Sequence, residues 1–142
     1  MSEAKRGDIL TQPLEESEDE VPQKAKKNYV FAGDRGCRSD ARIRKVINKL
    51  KKDRARLITG DSIGVDKIVQ KVGSELGFEV VRVKPTSKSQ IDRTRSNLEM
   101  IKKYKPRKVY LFHNCILNST VTKDMRDLCD ERTVEYEVLK TQ

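Results

Sequence analysis

The stretch NYVFAGDRG, residues 28–36, runs from a short apolar segment directly into a turn that contains two glycines. Tyr29, Val30 and Phe31 in its first half are aromatic or β-branched, and such side chains favour a β-strand because they suit a pleated, buried surface. Gly33 and Gly36 bracket Asp34 and Arg35, so the backbone of this turn can approach a bound group closely. The stretch therefore predicts the first strand of a sheet, followed by a ligand-binding loop.

Downstream of this stretch, further short apolar runs alternate with segments of helical periodicity. Ile43, Val46, Ile47 and Leu50 recur as one face of a helix, and Ser39 can cap its start. The same reasoning predicts strands at about residues 28–32, 56–59, 78–83, 108–112 and 133–139, and helices at about 40–50, 65–76, 91–105 and 120–129. This alternation is typical of the α/β class. We expect a Rossmann-like three-layer sandwich with a mostly parallel, five-stranded sheet and helices on both faces.

The 142 residues suffice for one domain, which we place at residues 28–142. Residues 1–27 hold few apolar side chains and an acidic run from Glu15 to Glu20 that is followed by lysines, so they can bury little surface. We expect residues 1–27 to be a disordered tail that carries both acidic and basic charge.

The chain is strongly basic, with 31 Lys and Arg residues against 22 Asp and Glu residues and a net charge of +9. Residues 1–27 hold 5 of the basic and 7 of the acidic residues, so the excess positive charge belongs to the domain. It is concentrated in two segments, 45–56 and 102–108. Such a domain attracts nucleotides, nucleic acids or acidic protein surfaces. Because only 5% of the residues are aromatic, contact with a nucleic-acid backbone is favoured over stacking on bases.

Several classes of protein are poorly supported by the composition. No apolar stretch approaches the roughly 18 residues that span a bilayer, and the N-terminal residues lack the apolar centre of a signal peptide. The cysteines number 3 and form no CxxC pair, which predicts neither a disulfide framework nor a zinc site. We therefore expect an intracellular protein, cytoplasmic or nuclear, without a membrane partner, metal or cofactor.

The loop after the second predicted strand is a second candidate site. In an open α/β sheet, ligands bind beyond the carboxyl ends of the strands, near the point where the strand order reverses. Gly60, Asp61, Ser62, Gly64 and Asp66 give this loop a glycine-bracketed turn, a hydroxyl group and two carboxylates at a helix start. Asp66 suits a sugar hydroxyl, although an aspartate in a first helical turn also simply complements the helix dipole.

The loop after the fourth predicted strand offers a third candidate. It leads to Ser119 and Thr120 at a helix N-terminus, where free N–H groups favour an anion. Ser119 as an ordinary N-cap explains the same residues. His113, the only histidine, lies at the end of the strand and suits acid, base or phosphate contacts, but a histidine that simply packs there is the commoner case.

Taken in order, the chain reads FAGDRG at 31–36, ITGDSIGVD at 58–66 and RSNLEM at 95–100, and then Ser119-Thr120 after the fourth strand. This series resembles the SLOG superfamily, in particular the small YspA-type proteins with GSRG, GGARGAD, RNxxM and PGGxGT motifs. The resemblance covers about residues 28–140. It implies a Rossmann-like fold that binds nucleotides or nucleotide-derived ligands. Relatives in the superfamily include LOG-type phosphoribohydrolases, which act on nucleoside monophosphates, and DprA-type proteins, which bind single-stranded DNA.

The chain also departs from the family pattern. In place of PGGxGT it has HNCILNST at 113–120, so the flexible backbone that wraps a phosphate is largely missing. Lys123 stands where LOG-type hydrolases have a catalytic glutamate, and a lysine cannot stabilise a cationic sugar centre or activate water as a carboxylate does. The RNxxM motif assigns Asn97 and Arg95 to the ligand, with Arg95 one residue further from the asparagine than in the family.

These observations predict a protein that binds a nucleotide or nucleotide-derived phosphate ligand, in a binding or sensing role. The predicted ligand-binding residues are Gly33, Asp34, Arg35, Gly36, Gly60, Asp61, Ser62, Gly64, Asp66, Arg95, Asn97, Ser119 and Thr120. One alternative is a phosphoribohydrolase-like nucleotide hydrolase in which Asp34, Asp66 or His113 replaces the missing glutamate. Another is a basic nucleic-acid-binding or assembly protein that has lost the pocket. The last predicted strand has the pattern of an edge strand, which could pair with a second copy of the chain, so a homo-oligomer is a further possible partner.

Overall fold

The computed structural model describes residues 26–142. The tail expected at residues 1–27 lies outside the described residues, except for Lys26 and Lys27. Lys27 already belongs to the first strand, which therefore begins one residue earlier than predicted. Within the described residues, no helix is both long enough and apolar enough to cross a membrane.

Five strands form one sheet in which every neighbouring pair is parallel. The strands are β1 (Lys27–Gly33), β2 (Ala55–Thr59), β3 (Glu79–Arg82), β4 (Lys108–Phe112) and β5 (Tyr136–Leu139). Their order is β3-β2-β1-β4-β5, so β1 is central and the order reverses between β1 and β4. This arrangement confirms the predicted α/β class and its five-stranded sheet.

Four helices cover the two faces of the sheet and complete three layers. They are α1 (Ala41–Asn48), α2 (Val65–Glu75), α3 (Gln90–Tyr104) and α4 (Thr120–Arg132). Helices α1 and α2 share one buried cluster with Phe31, whereas α3 and α4 share another with Val30. Adjacent residues of β1 thus point to opposite faces, as the alternation of side chains along a strand requires.

The ends of several elements differ from the predictions. Ser39 was expected to cap α1, but Asp40 holds the N-cap position and its carboxylate accepts a hydrogen bond from Arg44 at 2.9 Å instead of from a backbone N–H. The last strand begins at Tyr136 rather than at residue 133, because α4 continues to Arg132 and ends at Thr133 in a left-handed conformation with φ 58°. A short 3₁₀ helix, Ile116–Asn118, occupies the predicted loop after β4.

Candidate functional site

The loops that follow β1, β2 and β4 meet at the carboxyl edge of the sheet. The Asp34 N–H donates to the carbonyl of Phe112 at the end of β4 (2.9 Å), and the Val65 N–H donates to the Asp34 carbonyl (3.1 Å). Glycine stands at both crossing points. A Cβ on Gly33 would overlap the Phe112 carbonyl, and a Cβ on Gly64 would overlap the backbone of Asp34. These two glycines therefore let the loops approach each other.

A cavity of about 310 Å³ lies between these loops and helices α3 and α4. The predicted site residues that line it are Gly33, Asp34, Arg35, Ser62, Asp66, Asn97, Ser119 and Thr120, together with His113. Leu117, a bulky residue of the loop after β4, is 69% exposed and lies outside the cavity wall. The three loops therefore surround one hollow that is open to a ligand.

The other predicted residues, Gly36, Gly60, Asp61, Gly64 and Arg95, lie outside the cavity wall. The side chain of Arg95 is 77% exposed and pairs with Asp92 at 3.3 Å. Asp61 pairs with Lys67 at 2.9 Å, and this hydrogen bond holds the pKa of the Asp61 carboxyl below its ordinary value. Gly60 and Asp61 do line a side pocket of about 40 Å³, which shares Asp66 with the cavity.

Arg93 lines the cavity although the sequence analysis did not single it out. It lies four residues before Asn97 and seven before Met100, and all three line the cavity, as expected for one face of a helix. This helical spacing could have predicted from the sequence that Arg93 lies beside Asn97, whereas the SLOG-type RNxxM motif indicated Arg95. Neither Arg93 nor Arg35 forms an ion pair within residues 26–142. Both guanidinium groups therefore remain available to an anionic ligand.

Asp66 places a buried carboxyl group in the wall of the cavity, where its side chain is 8% exposed. Its Oδ2 accepts a hydrogen bond from the Ser62 N–H at 3.1 Å. Burial raises the pKa of Asp66 from 3.8 to about 6, against the opposing effect of the hydrogen bonds from Ser62 and Thr59. A Cβ at Gly60 would lie 2.7 Å from Oδ2, so this glycine leaves room for the carboxyl group.

The hydroxyl of Thr59 lies between the Asp66 carboxyl group and the backbone of β1. Thr59 Oγ1 lies 2.9 Å from the Phe31 carbonyl oxygen and 3.0 Å from Asp66 Oδ1. A hydroxyl group can donate only one hydrogen bond, and a carbonyl oxygen can only accept hydrogen bonds. When Asp66 is neutral, it donates to Thr59 Oγ1, and Thr59 donates to Phe31. When Asp66 is ionised, the hydroxyl of Thr59 can donate either to the Asp66 carboxylate or to the Phe31 carbonyl, but not to both.

Asn97 connects α3 to the start of α4. Its side chain is 3% exposed, and Nδ2 donates to the Val121 carbonyl (2.9 Å) and to Asp124 Oδ2 (3.1 Å). Both of its N–H groups are thus used inside the protein, and only Oδ1 is left for a ligand. The contact holds the N-terminus of α4 against the cavity.

Ser119 caps α4, because its Oγ accepts a hydrogen bond from the Thr122 N–H at 3.1 Å. The N–H groups of Thr120 and Val121 have no acceptor in the helix, as for the first residues of any α-helix. Both residues line the cavity. The start of α4 therefore adds backbone donors and the positive end of a helix dipole to the two arginines.

His113 and Lys123 have different positions relative to this cavity. Nδ1 of His113 accepts a hydrogen bond from the Cys115 N–H at 3.0 Å, so the neutral ring carries its proton on Nε2 and can donate there. Lys123 lies outside the cavity wall and pairs with Asp127 on α4 at 3.0 Å. Among the described residues, no cluster of three or more His, Cys, Asp or Glu side chains could hold a metal ion.

A second hollow, of about 340 Å³, shares Arg35, Ser62 and Arg93 with the cavity. The side chains of Lys84 and Lys88 line its far side. Arg35 and Arg93 therefore line both the cavity and the adjoining hollow, and each of these two spaces has basic side chains in its wall.

No protein-family model matches this chain, and no curated protein sequence matches it either. The resemblance to the SLOG superfamily accordingly rests on the motifs alone.

Proposed function

We propose that this protein binds a nucleotide or nucleotide-derived phosphate ligand in the cavity, in a binding or sensing role. The observation that carries the proposal is the pair Arg35 and Arg93, which line the cavity without an ion-pair partner within residues 26–142, beside the start of α4. A phosphate group would accept charge-assisted hydrogen bonds from both guanidinium groups and from the helix N–H groups.

The remaining lining residues suit the neutral part of such a ligand. Ser62, Asp66, Asn97 and His113 offer donors and acceptors for sugar or base groups. The cavity volume of about 310 Å³ lies at the small end of the range for ligand sites, which favours one nucleotide-sized molecule. The SLOG resemblance, a proposal in its own right, points to the same class of ligand.

One pair of variants tests the proposal directly. Wild-type protein, R93Q and R95Q would be titrated by calorimetry with purine and pyrimidine nucleoside monophosphates and with inorganic phosphate. Loss of a charged hydrogen bond to phosphate weakens binding by about 10-fold or more, and we expect that loss in R93Q. R95Q is the matched control, since Arg95 lies on the same helix outside the cavity, and its affinity should stay within about twofold.

Two results would contradict the proposal. The first is that no nucleotide binds the wild-type protein at millimolar concentration. The second is that R93Q and R95Q lose affinity equally, which would assign the effect to the general charge of α3.

A hydrolase is the second candidate, and Asp66 is the observation in its favour. A carboxyl group in a cavity wall with a pKa of about 6 is suited to proton transfer near neutral pH. Incubation with nucleoside monophosphates and chromatography of the products separates the two functions. A binding protein returns the nucleotide intact, whereas a hydrolase releases free base or phosphate and loses that activity in D66N.

A further inference from the structure

A second charged surface lies at the amino ends of the strands, opposite the cavity. The basic segments 45–56 and 102–108 each run into the start of a strand, β2 in one case and β4 in the other. Parallel strands all begin at the same edge of a sheet, so the two segments lie at one edge. Only β1 separates β2 from β4, which places the segments about 10 Å apart across it.

Asn28, near the start of β1, connects the two segments. Its side-chain Nδ2 donates to the Tyr104 carbonyl at 2.6 Å, and its backbone carbonyl accepts a hydrogen bond from the Arg107 N–H at 2.8 Å. On the other side, its Oδ1 accepts a hydrogen bond from Arg56 Nε at 2.9 Å. One residue thus contacts both segments, and the surface they form is continuous. We call this surface the basic edge.

The cations of the basic edge are exposed and lack ion-pair partners within residues 26–142. They are Lys45, Lys49, Lys51, Lys52, Arg54, Lys102, Lys103, Lys105 and Arg107. The neighbouring Arg56 and Lys108 are, by contrast, neutralised by Glu79, Glu135 and Glu137. Asp53 is the only carboxylate in the two segments. The fold therefore collects positive charge here that the rest of the described chain leaves uncompensated.

The surroundings of the basic edge indicate which polyanion it fits. The large apolar side chains that the described residues expose are Ile63, Ile91, Leu117 and Val138, and none belongs to the basic edge. Stable attachment to a membrane surface usually combines a basic patch with inserted apolar side chains or a lipid anchor, so this surface fits a nucleic acid better. The only aromatic ring of the two segments, Tyr104, is partly buried and flanked by Arg56 and Lys103 at 5.6 and 5.4 Å, so it offers little area for stacking on bases.

We propose that the basic edge binds the phosphate backbone of double-stranded nucleic acid without reading its sequence. The backbones of β2 and β4 start about 10 Å apart, and the lysine and arginine side chains extend beyond them, so the two segments can contact phosphates on both strands of a duplex, whose grooves are about 6 and 12 Å wide. This site is separate from the nucleotide cavity and does not depend on the function proposed for it.

Fluorescence anisotropy of the full chain with a labelled DNA duplex of about 20 base pairs tests the proposal. With about four phosphates contacted, affinity should fall about 100-fold between about 50 and 200 mM salt. The triple variant K51Q/R54Q/R107Q removes exposed charges from both sides of Asn28. We expect it to weaken binding at least about 10-fold and to reduce the slope of log affinity against log salt by 2 to 3 units.

The control triple R42Q/K71Q/R95Q removes the same charge from exposed helix positions away from the basic edge, and it should lose less than about threefold in affinity. Equal losses in the two triples would overturn the proposal, as would wild-type protein that fails to bind duplex at low salt. So would tighter binding to single strands or to vesicles of anionic lipid than to duplex. R93Q distinguishes the two sites, since it should bind duplex normally, whereas a loss in R93Q would move the binding to the cavity.

Discussion

At the residue scale, Asp66 connects the buried sheet to the cavity. Its carboxyl group belongs to a chain of contacts that runs through Thr59 to the backbone of β1, and it also lines the ligand space. When Asp66 is ionised, Thr59 can donate to the carboxylate, which lowers the pKa, but burial of the charge outweighs this effect. Ionisation also adds a negative charge to a cavity that Arg35 and Arg93 line.

The stability of the protein should therefore depend on pH through Asp66. Its pKa is about 6 in the folded chain against 3.8 for an ordinary aspartate, so the folded state binds more protons between these values. The stabilisation that Asp66 contributes is present below about pH 4 and is lost as the pH rises through about 6. D66N keeps the neutral form, and we expect its gain in unfolding free energy over wild type to grow from less than about 1 kcal/mol near pH 4 to about 3 kcal/mol near pH 7.

Urea unfolding of both proteins across this pH range measures that difference. Asp40 and Asp127 have lowered pKa values and give the opposite pH dependence, but they are common to both proteins and cancel. The negative charge of Asp61 contributes to the raised pKa of Asp66 and is therefore part of the difference that is measured. A constant difference between wild type and D66N would show that Asp66 is ionised throughout the range.

Individual site residues were predictable from the sequence where they follow a strand, because a parallel sheet brings such residues to one edge. Arg35, Ser62 and Asp66 were found in this way. Which arginine of α3 faces the cavity depends on the side of the helix on which each lies. Arg93 lies on the same side as Asn97, whereas the RNxxM motif indicated Arg95. The proton shared between Thr59 and Asp66 could not be predicted, since it depends on the distance between a buried strand and a helix.

At the scale of elements, the site depends on how the loops after β1 and β2 cross. Gly64 has φ +82° and lies against the backbone of Asp34, while Gly77 has φ +83° and has only the side chain of Lys52 nearby, at 3.6 Å or more. The two glycines share a positive φ, but Gly64 has ψ −130°, a backbone conformation that is nearly confined to glycine, and it also lies in more crowded surroundings. Comparing them shows how much less the loop crossing tolerates loss of glycine than an open turn does.

G77A should lower the unfolding free energy by about 1 kcal/mol, which is the cost of a left-handed alanine. G64A places a side chain in a backbone conformation that is nearly confined to glycine and must also push apart the two loops, so we expect a loss greater by at least about 1 to 2 kcal/mol. Thermal unfolding measures both, and nucleotide titration should show weaker binding in G64A only. Equal destabilisation of the two variants would mean that the loops yield easily and that the crossing does not fix the cavity.

The ends of elements were less predictable than their existence. Strand β4 was located correctly at Lys108–Phe112, because Pro106 and an unbroken apolar run define it. The start of β5 was wrong by three residues, since the alternation of Val134, Tyr136 and Val138 continues through the turn that leaves α4. A side chain pattern of this kind does not reveal that Thr133 ends a helix in a left-handed conformation.

At the scale of the whole molecule, the parallel sheet separates two kinds of charge-bearing site. Residues after strands gather at the carboxyl edge, around the cavity, and residues before strands gather at the amino edge. The sequence showed both basic segments but not their proximity, because the order β3-β2-β1-β4-β5 is what brings the starts of β2 and β4 to either side of Asn28. One topology thus produces both surfaces.

The two sites should consequently be energetically independent. The seven residues of β1 separate them by about 20 Å, which is at least twice the screening length of about 8 to 10 Å at ordinary salt. Charge placed in the cavity therefore changes the potential at the basic edge very little. We expect duplex affinity to change less than about twofold when the cavity is saturated with nucleotide, and nucleotide affinity to change equally little when duplex is bound, as linkage requires. A reciprocal change of about tenfold would instead mean that the rigid sheet transmits a conformational change between its edges, or that both ligands occupy one continuous surface.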